Sequence, residues 1–152
     1  MTLADGVSSQ DEVKLPPELR RFVLFPGVKW PHKNHKAAIE AFDAYLRWSG
    51  SDLRLVMCGG ACAENRFSFL PSDDRLSDRV MDLGLVPDDM LRALFARAEA
   101  VIFPTEYEGF GIPVLEAAYQ GKMVVASGLA VFDEILGPST YRRIADSQCH
   151  LR

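Results

Sequence analysis

Long apolar runs are absent from this chain of 152 residues. None of its hydrophobic stretches approaches the ~20 residues that a membrane-spanning helix needs. The opening segment "MTLADGVSSQDEVKLPPELRR" is polar, so no signal peptide is expected. Excess charge of one sign is also missing: 17 Lys and Arg against 21 Asp and Glu give −4, so there is no overall basic bias toward nucleic acid. Cysteine is scarce. Cys58, Cys62 and Cys149 are odd in number, in a chain long enough to bury a core without staples, which argues against a disulfide framework. A reducing, cytoplasmic setting is the expectation. Cys58 and Cys62 are spaced C-x3-C, and His150 follows Cys149, but a metal set would need a fourth ligand. Cys58 closes an apolar run, where a buried thiol is expected; no metal and no cofactor are predicted.

Three chemical signatures are lacking as well. Gly121-Lys122 is followed by Met123, so there is no G-x4-G-K-[ST] phosphate loop. There is no D-x-D pair to hold a divalent cation on a sugar diphosphate, and no G-x-S-x-G nucleophile turn. Internal repeats and low-complexity segments are not seen.

What is present is an alternation. Short apolar runs at 22–26, 53–60, 79–86, 100–104 and 123–127 read as buried strands. Between them, 35–48, 88–100, 112–120 and 131–136 carry apolar residues at helical spacing. Asn34 is placed to cap the first helix, Asp88 and Asp89 favour the positive end of the second, and Gly121 stops the third. Residues 61–78 read as a loop with at most a short helix, and residues 1–20, ending in Pro16-Pro17, as a polar tail or linker. The order predicts an α/β fold: a parallel sheet with helices on both faces. Ligands of such sheets bind at the carboxyl ends of the strands, which directs attention to the loops 27–34, 58–64, 86–89, 104–112 and 127–131.

Two of these loops carry chemistry. "PTEYEGFGIPVLEA" (104–117) joins a strand to a helix. Its glycines fit either a backbone that approaches a ligand or a turn packed tightly on the sheet, and the pattern alone does not choose between them. The free N–H groups of the helix start suit a phosphate. Glu108 and Glu116 repel phosphate but accept hydrogen bonds from hydroxyls, so together they suit a ligand with hydroxyls on both sides of its phosphates, such as a nucleotide-sugar. The alternative is a solvated acid at 108 and an ordinary ion pair at 116. In "KWPHKNH" (29–35), Lys29, His32, Lys33 and His35 are expected to bring positive potential to the same edge. Lys33 has a surface lysine as its alternative reading.

Taken together, "FVLFPGVKWPHKNHKAAIEAF", "LRLVMCGG", "RVMDLGLVPDDMLRALFARAEAVIFPTEYEGFGIPVLEA" and "MVVASGLAVFDEILG" span about residues 21–137. This series resembles the C-terminal, donor-binding domain of GT-B fold glycosyltransferases of family 4, or group 1. "WPHKNH" is similar to a mannosyl- and rhamnosyltransferase-like subset. The resemblance implies a Rossmann-like half of a GT-B fold over residues 21–141, followed by a truncated tail at 142–152. It implies transfer of a hexose from a UDP- or GDP-linked sugar to an acceptor hydroxyl, with retention and without a metal. The N-terminal acceptor domain that completes such enzymes would be missing, leaving this chain inactive alone. It also implies roles by matched position. Lys33 would contact the diphosphate; Glu108 would lie near the donor sugar, and these two are the catalytic candidates. The backbone of Gly109, Phe110, Gly111 and Ile112 would face sugar and phosphate. Glu116 would hold the ribose hydroxyls, Val86 would lie beside the base, and Gly27 would line the diphosphate. Many relatives follow that glycine with an arginine; here Val28 stands there, with Lys29 as a partial replacement. The rival expectation is a non-catalytic remnant, or another nucleotide-binding or protein-interaction domain.

Overall fold

The computed structural model describes residues 13, 15–60 and 74–144. Cys62, Cys149, His150, most of the 1–20 segment and residues 61–73 of the expected loop lie outside the described residues. Six strands form one sheet: β1 (Phe22–Pro26), β2 (Arg54–Cys58), β3 (Val80–Asp82), β4 (Ala100–Phe103), β5 (Met123–Ala126) and β6 (Arg142–Arg143). Their spatial order is β3-β2-β1-β4-β5-β6, and every pairing is parallel. The fold is thus Rossmann-like α/β, as the alternation predicts.

Five helices accompany the strands: α1 (His35–Ser49), α2 (Asp74–Ser77), α3 (Asp88–Arg97), α4 (Ile112–Tyr119) and α5 (Ala130–Leu136). Alternating strand residues separate two cores. Phe22, Leu24, Val56, Cys58, Val101, Phe103, Val124 and Ala126 point to the side of α3, α4 and α5, where Leu94, Phe95, Val114, Ala117 and Phe132 meet them. Phe25, Leu55, Met57 and Ile102 point to the other side, against Ala38, Ile39 and Phe42 of α1 and Leu76 of α2. Near-continuous apolar strands are needed because both faces are covered. Among the described residues, no helix is long and apolar enough to cross a membrane.

Three boundaries differ from expectation. Leu15 and Leu19 are buried in the α3–α5 core, so the packed unit begins before residue 21. Polar neighbours mask these two anchors in an averaged reading of residues 1–20. The chain from 142 is not all tail: Arg142 and Arg143 pair with Val125 and Ala126 as β6. Tyr141 is buried and donates to Asp133 Oδ1 at 2.8 Å, which fastens this edge to α5. β3 ends at Asp82 rather than near Val86, because the Asp82 carboxylate accepts the Gly84 N–H at 2.9 Å and turns the chain.

Candidate functional site

Running out from β1 through β2 to β3 and then back to β4 on the other side, the chain leaves a crevice where β1 and β4 lie side by side. Such a reversal of strand order is where doubly wound sheets bind ligands. The two loops the sequence singles out, 27–34 and 104–111, leave the carboxyl ends of these two strands. They are stitched together. The His32 carbonyl accepts from Glu106 N at 2.8 Å and lies 3.1 Å from Thr105 Oγ1. The buried Thr105 hydroxyl also lies 2.8 Å from the Tyr107 carbonyl. Thr105 is a site residue that sequence reasoning passed over; its signal is a small hydroxyl just after a strand, which many turns share.

Pro31–Lys33 form one 3-10 turn ahead of α1, and Asn34 closes it in the left-handed region while its side chain accepts from Ala37 N at 3.2 Å. This turn aims Lys33 across the crevice. Lys33 Nζ and Glu108 Oε2 are 2.6 Å apart, and both side chains are largely shielded (18% and 22% exposed). The structure therefore brings together the two catalytic candidates and shows that the carboxylate already holds the ammonium. A diphosphate reaching Lys33 competes with Glu108 for it.

The other expected cations behave differently. Lys29 is buried, with Nζ 2.8 Å from Asp82 Oδ2 and 3.3 Å from the Gly59 carbonyl. It points into the junction of β1, β2 and β3, so it does not replace the arginine that Val28 displaces; Val28 itself is exposed. His35 is buried against the Phe25 ring. Burial, helped by the charge of Lys29, lowers its pKa to about 4, so it is neutral at pH 7. The expected positive edge is thus reduced: one lysine is paired inward, one is paired across the crevice, and one histidine is uncharged. Cys58 is a buried thiol whose pKa burial pushes up to about 11, which keeps it in the unreactive form.

The glycines divide. Gly111 caps α4 at φ +71, and a Cβ there would stand 3.0 Å from Phe132 and 3.2 Å from Ile135. Gly111 is therefore packed tightly, against α5 rather than the sheet. Gly109 is exposed, and a Cβ there would meet nothing within 4 Å. Phe110 and Ile112 are exposed at the start of α4. Glu116, one turn further, is exposed and has no ion-pair or hydrogen-bond partner for its carboxylate among the described residues. Gly27 is half-buried and donates its N–H to the Cys58 carbonyl at 2.8 Å. Val86 is half-buried, two strands from the crevice, and packs on the α3–α5 core.

Among the described residues no group of three His, Cys, Asp or Glu could hold a metal ion. A cavity of about 260 Å³ lies elsewhere, lined by Val23, Phe42, Tyr45, Leu53, Glu99 and Met123 among others. Leu53, Glu99 and Met123 stand at the amino ends of their strands, opposite the candidate site.

Comparison with known proteins finds relatives in sequence and in fold. Residues 8–147 match the family model described as glycosyl transferases group 1. The chain is 33% identical over 119 residues to the O-antigen chain mannosyltransferase RfbU of Salmonella typhimurium, covering 78% of this chain and 33% of that protein. It is 32% identical over 114 residues to the serotype-specific mannosyltransferase WbdA of Escherichia coli, covering 74% of this chain and 14% of that one. The chain thus spans a third or less of these relatives' length. In fold it matches the C-terminal domain of a glycosyl transferase group 1 family protein, LpcC, from Francisella tularensis. That match has a TM-score of 0.70 and 19% identity, and covers 82% of this chain and 67% of that one.

Proposed function

The chain belongs to the group 1 glycosyl transferases, and from that premise we propose that it is the donor-binding domain of a retaining hexosyltransferase. Its donor is a nucleotide diphosphate sugar, UDP- or GDP-linked. The mannosyltransferases among its relatives support mannose as the hexose. The observation that carries the reading is the Lys33–Glu108 pair in the crevice between β1 and β4, with Glu108 on the loop that leads into α4.

The chemistry follows from these groups. When the bond from the anomeric carbon to the diphosphate oxygen breaks, that oxygen keeps the electron pair and its charge grows. Lys33, released from Glu108, and the N-terminal end of α4 stabilise that charge where water is partly excluded. Glu108, beside Gly109, is left to accept from hydroxyls of the sugar, and Glu116 from those of the ribose. No metal takes part in this scheme, and a reducing, cytoplasmic setting goes with it.

A second reading has one observation in its favour. With Val28 in the place of an arginine and Lys29 committed to Asp82, Lys33 carries the diphosphate without the second cation that many relatives have. That arrangement suits a weakly binding, non-catalytic domain. Isothermal titration of the chain with GDP, UDP and the corresponding sugar nucleotides separates the readings. Diphosphate-dependent binding that Lys33→Ala weakens supports the donor domain; absence of binding to all of them leaves the non-catalytic one.

A further inference from the structure

The crevice carries a feature that the donor roles do not use. His32 and Tyr107 stack with ring centroids 4.2 Å apart and planes 21° apart, and Trp30 leans on His32 at 5.5 Å with its plane tilted by 59°. Tyr107 is 64% exposed and Trp30 49%. Both rings are far more exposed than the Lys33–Glu108 pair, whose side chains are shielded. The row is held in place. The buried Thr105 hydroxyl sits against the carbonyls of Tyr107 and His32, and the Glu106 N–H fixes the His32 carbonyl. The backbone that carries His32 and Tyr107 is thus ordered before a ligand stacks on their rings. Beside Tyr107, Glu106 is exposed and its carboxylate has no partner among the described residues, while the Glu108 carboxylate is held by Lys33.

A flat ring beside an exposed carboxylate matches one chemistry well. A pyranose presents axial C–H bonds, weakly positive, to the negative face of an aromatic ring, and its equatorial hydroxyls reach sideways to carboxylates. We infer that Tyr107, with His32 and Trp30 behind it, is a stacking platform for a sugar ring of the acceptor glycan. This rests on the donor-domain reading above. The donor's diphosphate reaches inward to Lys33, so a ring on the outward face of Tyr107 belongs to a second sugar. The donor domain would then supply one wall of the acceptor subsite.

The test uses the full chain with 13C-labelled aromatic rings, α-linked mannose disaccharide as the probe, and GDP and GDP-mannose as comparison ligands, followed by NMR. The disaccharide is expected to shift the Tyr107 and Trp30 ring signals with millimolar affinity, and to do so equally when GDP-mannose is bound. Tyr107→Ala should weaken disaccharide binding about tenfold, Tyr107→Phe should keep it, and both should bind GDP as the wild type does. Ring signals that ignore the disaccharide while GDP binds overturn the inference and leave the donor reading standing. Competition between disaccharide and GDP-mannose also overturns it, because the rings then hold the donor sugar. So do ring shifts caused by GDP alone, which make the platform a base stack. Disaccharide binding without any nucleotide binding keeps the platform and removes the donor reading.

Discussion

At the scale of single residues, the Lys33–Glu108 pair is the centre of the proposed site. Removing one charged partner of a bound diphosphate costs about 1.5–3 kcal/mol, so Lys33→Ala should weaken GDP or UDP binding roughly 10- to 150-fold in titration calorimetry while the fold persists. Glu108 acts in the opposite sense on nucleotide affinity. It occupies the ammonium that the diphosphate needs and repels the incoming anion. A partly shielded pair of this kind is worth up to about 1 kcal/mol, so Glu108→Gln should tighten GDP binding up to about fivefold. Both residues stood out as candidates by type and position, but their contact, across 75 residues of chain, was not visible in the sequence. Lys29 misleads a sequence reading for the same reason: its partner Asp82 arrives from a strand two positions away in the sheet. His35 gives a pH signature. Its folded pKa is about 4 against 6.5 when unfolded, so between those values the unfolded chain binds the extra proton. Stability from this residue is complete above pH 6.5 and should fall by about 3 kcal/mol as the pH drops to 4. Urea unfolding across that window should show the slope in the wild type and lose it in His35→Asn.

At the scale of elements, the strands were readable as short unbroken apolar runs in β1 and β2, and the long helices by their period, with Ala38, Ile39 and Phe42 on one side of α1. β6, at two residues, is too short to show any period, and it exists because β5 offers an open edge. The glycines mark where elements meet. Gly59 has φ +141, and a Cβ there would lie 2.1 Å from the Gly27 carbonyl oxygen, which is backbone and cannot swing aside. It is the close approach that lets the β1 loop run past the end of β2. Gly59→Ala should therefore cost about 3 kcal/mol or more and displace the 27–34 loop. Gly111→Ala meets side chains of α5 instead, and its left-handed backbone costs about 1–2 kcal/mol. Denaturant midpoints should rank Gly59→Ala below Gly111→Ala, with both below the wild type. A reversed order would mean that the β1–β2 loop junction adapts more easily than the α4–α5 contact.

At the scale of the molecule, an α/β alternation with parallel pairing leaves few topologies, which is why the architecture was visible before any contact was known. What the sequence did not reveal is how open the site is. Tyr107, Phe110, Ile112 and Glu116 all face away from the packed core and are exposed. Nothing among the described residues stands opposite them to hold an acceptor. Transfer requires the acceptor oxygen to be positioned against the anomeric carbon, an effect of order 7–11 kcal/mol in favourable cases. A single wall with a stacking ring supplies a small part of that. The chain by itself is therefore expected to bind nucleotide or nucleotide-sugar weakly and to hydrolyse the donor slowly at most. Efficient glycosylation should require a second wall, from an acceptor-binding domain or a partner. Incubation of the purified chain with donor and acceptor panels, followed by mass spectrometry, checks this. Multiple-turnover glycoside formation would show that one sheet and its loops build a complete transferase, with the acceptor held by the Tyr107 edge alone.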